Sequence, residues 1–530
     1  MKIIQLNGIK LDLDESEKLL KEKAAAILRI AVDDIIEAEI VKKALDSRHR
    51  KKPHFVYVLR VIIPDGINLP AEFKQDHQLP EKKNKNDFSL VSPPKLPVVV
   101  IGSGPAGLFA AYTLALRNVP VIVLERGSRL EERVKDVKNF WHHGILNPQS
   151  NVLFGEGGAG TFSDGKLTSR TKNPYSLWVK KILVQMGASP AILTDAKPHI
   201  GTDKLRGVIL NLRKILVEMG CRFEFKAQVT DFLIYKKNIA AVIINEKEEI
   251  KTDNVILAIG QSADDTYQKL FESGVKIEDK PFAMGLRVEH PQELINSIQY
   301  GKWCKHPQLP PAEYFVTASI PDLNRSVYTF CMCPGGTVIG CAAFKGLLIT
   351  NGMSDAARSG EFANSAIVVN IRVDDFKSCD QNLAGLKFRQ IWERKAFLSG
   401  GSDFCAPAQK ITDFLQRKTA GVTGKTSFLP GVKYFPLEEV FPVFVTDSLR
   451  KGINEFDKKM RGFITEDAHL IGVETRTSSP LRICRRIDGQ SETVGGVYPC
   501  GEGAGYAGGI ISSALDGIKA AQSLLNKLNG

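Results

Sequence analysis

The residues whose types and spacing could do chemistry are led by three glycines and an acid. Gly102, Gly104 and Gly107 follow the β-branched run Val98 to Ile101 in G-x-G-x-x-G spacing, with Ser103, Pro105 and Ala106 between them. A second apolar run, Val121 to Leu124, ends at Glu125 beside Arg126. Gly102 permits a tight turn, Gly104 lets a diphosphate approach the backbone, and Gly107 lets the following helix pack closely on the strand. The diphosphate charge then rests on the amino end of that helix, where unpaired N–H groups and the helix dipole favour anions. Glu125 comes 23 residues after Gly102, where a carboxylate accepts both ribose hydroxyls through charged hydrogen bonds contributing ~1.5–3 kcal/mol each. This is dinucleotide chemistry, and the motif alone leaves NAD and FAD both open.

Other reactive side chains are scattered. Lys166 stands in SDGKL, and Cys331 and Cys333 stand in CMCPGG. C-x-C is not the spacing of a common redox pair or a zinc knuckle, and no nearby histidine completes a metal set, so inert buried thiols are the alternative and no metal is expected. Arg476, Thr477, Ser479 and Arg482 in VETRTSSPLRICRR suit carboxylate or phosphate capture, or else form a basic surface strand. His142 and His143 follow Trp141 as neighbours that point apart on any regular element, which suits ordinary packing.

Positioning these groups requires a strand, turn, helix and strand over residues 97–126. Residues 203–260 add a helix ending at Met219-Gly220, strands CRFEFKAQV, DFLIY, AAVIIN and EEIKT, and the apolar strand NVILAIG. The segment GVYPC, a glycine-rich turn and the helix ISSALDGIKAAQSLLNKL close the pattern. Upstream, strand Lys2 to Gln5, a helix about Ser16 to Arg29 and strands about Glu37 to Leu45 and His54 to Ile63 form a small α+β unit. A proline-bearing, charge-mixed tether follows. The expected division is a small N-terminal α+β domain at 1–63, a linker at 64–96, a Rossmann-type α/β domain at 97–279 completed by 481–530, and a mixed α+β substrate domain at 280–480. A chain of 530 residues accommodates this, since single cores stop growing near ~250–300 residues.

Composition narrows the class. Forty-three percent hydrophobic and 25% charged residues are those of a globular protein, and nine scattered cysteines are not a secreted disulfide framework. The start lacks a signal-peptide pattern, so a reduced, cytoplasmic location without membrane association is expected. Val98 to Leu116 is an uncharged stretch long enough to imitate a membrane span, but its Gly-Ser-Gly-Pro core marks a buried strand and helix instead. The net charge is +12, and Ile40 to Arg60 holds seven Lys or Arg against one Asp. That run at residues 40–60 reads as a solvated hairpin, since Phe55, Tyr57, Leu59 and Val61 alternate on one face, or as a patch for nucleic acid.

Three segments far from the glycine turn resemble those of two-domain FAD oxidoreductases with a glutathione-reductase-like fold, and within them a bacterial group of FAD-dependent, NAD(FAD)-utilizing dehydrogenases. These are the 203–260 meander, NVLFGEGGAGTFSDGKL and GVYPCGEGAGYAGGIISSALDG. The resemblance implies FAD as the cofactor, with adenine near Val229, the strand Val255 to Ile259, which holds Ala258, before Gly260, and Gly158, Gly160 and Thr161 beside the isoalloxazine. It gives Gly501 and Glu502 the ribitol, where many relatives use Asp, and points the helix starting at Gly508, Gly509 and Ile510 at the flavin pyrimidine, where N–H groups stabilise the charge of reduced flavin. DSRHRKKPHFVYVLRV, CMCPGG and GVETRTSSPLRI extend the likeness over nearly the whole chain, although Asp46-Ser47-Arg48 stands where Asp-Ala-Arg is expected.

With flavin in place, Lys166, Cys333 and Arg476 become the catalytic candidates: an amine reaching flavin N5 or a substrate oxyanion, a thiol against the flavin, and an anion clamp. Gly155, Gly157 and Gly160, like Gly503, Gly505 and Gly508, repeat the glycine spacing without completing a second Rossmann unit, so NAD(P)H is expected only as a transient reductant. The leading expectation is a dehydrogenase or reductase moving a hydride between flavin N5 and a small organic substrate. A flavin monooxygenase is the enzyme alternative, made weaker by the absence of the Trp-x-Trp-x-x-Ile and FxGxxxHxxxW fingerprints, and an RNA-binding flavoprotein is the other.

Overall fold

The computed structural model describes residues 1–48, 52–73, 93–169, 173–377, 379 and 382–529. The greater part of the expected linker therefore lies outside the described residues. No helix among those described is long and apolar enough to cross a membrane.

Four buried β-branched or isoleucine side chains make Val98–Ile101 a central strand, because a parallel strand covered on both faces needs a continuous apolar run. It lies at the middle of a five-stranded parallel sheet in the order Val497–Pro499, Val255–Leu257, Val98–Ile101, Val121–Glu125 and Arg222–Phe225. The helices Pro105–Ala115 and Ile510–Asn529 pack against each other on one side of this sheet. On the other side sits a three-stranded meander of Val229–Tyr235, Asn238–Ile244 and Glu248–Lys251. The apolar stretch that imitates a membrane span is thus a strand, a turn and a helix of a globular core.

Residues 282–474 supply a second, eight-stranded sheet, mostly antiparallel, built on Phe282–Pro291, Arg325–Cys341, Phe362–Ile371 and His469–Glu474. Its core is the largest in the protein. The two bodies are stitched by the antiparallel pair Ile277–Asp279 with Leu481–Ile483, where the chain leaves and re-enters the parallel sheet region.

Two expected boundaries shift. The first strand runs over Lys2–Asp12, because Gly8 at φ 77° absorbs a register shift between Asn7 and Ile9 and so hides the alternation that buries Ile4, Leu6, Ile9 and Leu11. CRFEFKAQV is not one strand. It breaks at Lys226, φ 55°, into Arg222–Phe225 of the parallel sheet and Val229–Tyr235 of the meander. In the N-terminal unit, strands Lys2–Asp12, His54–Ile63 and Glu37–Asp46 carry helix Leu19–Leu28, and Tyr57, Leu59 and Val61 face its core. Four of the described cations of residues 40–60 find acids of the same unit: Lys43 pairs with Glu17, Arg48 with Asp46, Lys52 with Asp12 and Arg60 with Glu39.

Candidate active site

Gly102 turns the chain at φ 100°, and a Cβ there would stand 2.4 Å from the Ala258 carbonyl oxygen of the neighbouring strand. Gly107 is tighter, since its Cβ would lie 1.9 Å from the Gly102 oxygen. Gly104 differs: the nearest atom to its Cβ position is Gly158 Cα at 3.7 Å, so this face of the turn is open. Gly104 caps Pro105–Ala115 in an extended conformation, with Pro105 in the first turn and no side chain bonded to the helix end. The first N–H groups of the helix are therefore left for a ligand.

Glu125 is buried, and its carboxylate organises the turn. Oε2 accepts from Ser103 N at 3.0 Å and Ser103 Oγ at 2.7 Å, while Oε1 accepts from Gly127 N at 2.9 Å and Gly155 N at 3.0 Å. The acid expected to grip a ribose lines the cavity, yet protein donors occupy it; the Ser103 hydroxyl is the partner free to rotate away.

These groups open onto a cavity of about 1100 Å³, above the usual ~300–1,000 Å³ of small-molecule sites. Gly102, Gly104, Pro105, Ala106, Glu125, Arg126, Gly158, Gly160, Val229, Ala258, Gly260, Gly501, Glu502, Gly508, Gly509 and Ile510 all line it. Gly107 and Thr161 lie behind the wall, Gly107 as helix packing and Thr161 as a buried partner of Arg133 and Thr202. Arg126 is held by Asp265 at 2.8 Å and stacks on Phe154. Glu502 accepts from Gln261 Nε2 at 2.8 Å, and burial raises its pKa to about 7. An elongated, partly apolar cleft with an uncapped helix end and a carboxyl able to take a hydroxyl fits a flavin dinucleotide. On this fit the first turn of Pro105–Ala115 and Glu125 would hold the ribose diphosphate, and Glu502 would hold the ribitol.

The substrate-side candidates separate. Lys166 lines the cavity, 3.0 Å from Asp164 and bonded to the Met332 carbonyl; burial pulls its pKa down, but Cys333, Cys331 and Asp164 more than reverse this and raise it. Cys331 also lines the cavity, whereas Cys333 is fully buried behind it, because the strand bulges at this point. Arg476 is at the wall, but Nε and Nη2 grip Glu393 at 2.9 and 2.8 Å and its side chain is only 5% exposed, so it is a buttress rather than an open clamp. Thr477 lines the cavity, while Ser479 bonds within its own turn and Arg482 is exposed outside it. His142 and His143 are exposed at the end of helix Leu130–His143.

Other residues at this end were not singled out in the sequence. Glu474 lines the cavity, pairs with Arg287 at 3.1 Å and accepts from Thr350, and burial outweighs the Arg287 charge to raise its pKa to about 7. Asp164, gripped by Arg358 and bonded to Ser354, is held well below the carboxylate range by Lys166 and Arg358 against its burial. Phe315, Tyr328 and Phe330 form an aromatic lip. A carboxylate in the apolar strand His469–Glu474 was the available signal for Glu474, and its place in SDGKL the signal for Asp164; the lip had none.

Residues 281–477 match the family model described as FAD-dependent protein, C-terminal domain-like, residues 100–143 a NAD(P)-binding Rossmann-like domain, and residues 3–62 a domain of unknown function. An uncharacterized protein of Clostridium beijerinckii is 39% identical over 535 residues, covering 99% of this chain and 99% of that protein. A Claviceps purpurea protein described as a monooxygenase shares 49% identity over only 49 residues, 9% of this chain and 8% of its own. Among solved structures, the flavin-dependent brominase Bmp2 overlaps at TM-score 0.37 with 12% identity, over 82% of this chain and 80% of its own. The L-amino acid deaminase of Proteus vulgaris overlaps at TM-score 0.24 with 12% identity, over 39% of this chain and 64% of its own. Overlaps this shallow carry no chemical inference. The near full-length Clostridium beijerinckii relative and the matched domains place the chain in one family with it, a family of FAD-dependent oxidoreductases with a Rossmann-like dinucleotide-binding domain.

Proposed function

We propose that the protein is a dehydrogenase or reductase of glutathione-reductase-like arrangement, acting on a small organic substrate that enters past the Phe315, Tyr328 and Phe330 lip. One observation carries this reading: the cavity that begins at the open helix end of Pro105–Ala115 continues to a wall holding Lys166 and the buried carboxyl of Glu474. FAD, when bound, supplies the hydride chemistry. Lys166, held by Asp164 and the Met332 carbonyl, offers a positive charge to a substrate oxygen. Glu474 keeps a proton near neutral pH and is the group able to deliver or accept one at its carboxyl oxygens. The start of Ile510–Asn529 lies at the cavity wall, where its N–H groups would favour negative charge on a bound flavin. Strands Arg325–Cys341, Ile349–Met353 and His469–Glu474 supply the wall on the substrate side.

NADPH or NADH serves in this reading as a transient visitor to the same face. The purified protein is expected to be yellow and to bleach anaerobically with a reduced nicotinamide or with an oxidisable substrate. Reoxidation by oxygen without oxygen incorporation into substrate supports a dehydrogenase. Stoichiometric incorporation would overturn it in favour of a monooxygenase, and a colourless protein would overturn the site itself.

A further inference from the structure

The longest strand of the substrate-side sheet is broken at the cavity. Arg325–Cys341 loses register against Phe362–Ile371 between Phe330 and Cys333, and again between Cys333 and Gly336. Cys331 sits within the first break at φ 47°, a left-handed conformation that a non-glycine residue adopts only under constraint. In a regular strand, residues two apart are separated by roughly 6.5 Å along the chain. That is too far for a disulfide, whose Cβ atoms lie ~3.5–4.5 Å apart. The left-handed residue contracts the segment. Cys333 Sγ comes to 3.4 Å from the Cys331 carbonyl oxygen, so the second cysteine folds back onto the first.

The surroundings are those of a reactive sulfur. Arg287 Nη2 donates to the Cys331 oxygen at 2.7 Å and reaches Cys333 Sγ at 3.6 Å, and Lys166 stands on the other side, bonded to the Met332 carbonyl between the two cysteines. The acids that face the pair are neutralised: Asp164 by Arg358 and Lys166, and Glu474 and Glu502 by pKa values raised through burial. The hydrogen bond from Cys333, with Lys166 and Arg287, draws the Cys331 thiol below its ordinary range despite burial. Cys341 and Cys500 line the same cavity but burial pushes both up, as for inert thiols.

We propose that Cys331 and Cys333 are a second redox centre, a dithiol that closes to an intrachain disulfide and exchanges two electrons with FAD bound in the cavity. In the reducing direction the S–S bond takes up the two electrons and one proton that reduced FAD releases. The bond breaks, Cys331 leaves as a thiolate beside Lys166 and Arg287, and Cys333 takes the proton. The reverse step forms the bond and returns the electrons and the proton. The inference rests on FAD occupying the cavity and is independent of the substrate's identity.

Two measurements on the holoenzyme test it. After mild oxidation with diamide and alkylation in denaturant, the tryptic peptide 326–345 is expected to carry a bond between Cys331 and Cys333 with Cys341 alkylated, and dithiothreitol is expected to reverse it. Anaerobic titration of the oxidised protein with dithionite is expected to consume about four electrons per FAD, against about two in Cys331→Ser and Cys333→Ser variants that stay yellow. Alkylation of both thiols after oxidation, a bond to Cys341, or a two-electron wild-type titration overturns the proposal. If the serine variants do not fold, peptide mapping of the wild type decides. A colourless preparation would overturn the cofactor assignment instead, and the mapping still decides the pair.

Discussion

Glu125 shows how a single side chain binds the nucleotide turn together, and its removal is correspondingly costly. Glu125→Ala leaves Ser103 N, Gly127 N and Gly155 N without an acceptor in a buried site, and unmet buried donors cost ~1–3 kcal/mol each. A stability loss of about 3–5 kcal/mol in denaturant titration, with loss of bound flavin absorbance, is expected. Glu474 makes a prediction about turnover. Its carboxyl is protonated below about pH 7 and ionised above, so a reaction that draws its proton from there slows as pH rises through that value. Glu474→Gln is expected to lower kcat about 100-fold and to erase the inflection in a pH-rate profile. The glycines and Glu125 were readable in the sequence because their spacing is local. Glu474, Arg287 and Asp164 were not, because pairing of Phe282–Pro291 with His469–Glu474 brings residues 287 and 474 together across nearly two hundred positions. Both cysteines were singled out, with Cys333 as the candidate against the flavin, but Cys331 is the one at the cavity, since no spacing rule announces the left-handed turn there.

At the scale of the element, the helix Pro105–Ala115 has two glycine-dependent faces that mutation separates. Gly107→Ala puts a Cβ 1.9 Å from a backbone oxygen, which forces the helix off its strand and costs ~1–3 kcal/mol or more. Gly104→Ala meets no protein atom closer than 3.7 Å, so the fold is retained while the side chain occupies the space a diphosphate needs. Thermal melts with flavin released should therefore show a fall for Gly107→Ala and near-wild-type behaviour for Gly104→Ala, although both lose flavin retention. The strand, helix and strand of this unit were legible from apolar runs and turn residues. The eight-stranded sheet was legible only as strands mixed with helices, because its order is set by contacts between distant segments.

For the whole molecule, buried titratable groups set a pH dependence of stability. Burial raises Glu289, Glu474 and Glu502 to about 7, so the native state holds extra protons between the ordinary carboxyl range and pH 7 and stability falls as pH rises through that window. Burial lowers His290 to about 4 and also lowers His199 and His469, which has the opposite sign and is complete by the ordinary 6.5. The two sets oppose each other in mild acid. Above about pH 6.5 the histidine contribution is complete while the carboxyls continue to titrate, so between pH 6.5 and 8 the melting temperature of Glu289→Gln should shift upward relative to the wild type.

The parallel sheet draws strand Val497–Pro499 and helix Ile510–Asn529 back onto the glycine turn, where a Cβ on Gly517 would sit 2.0 Å from the Ala106 oxygen. During synthesis the turn emerges from the ribosome long before the segment that seats it. A nascent chain halted before residue 497 would carry the complete G-x-G-x-x-G motif and yet lack a wall of its own pocket, so flavin capture should report synthesis past the helix Ile510–Asn529 rather than the appearance of the motif.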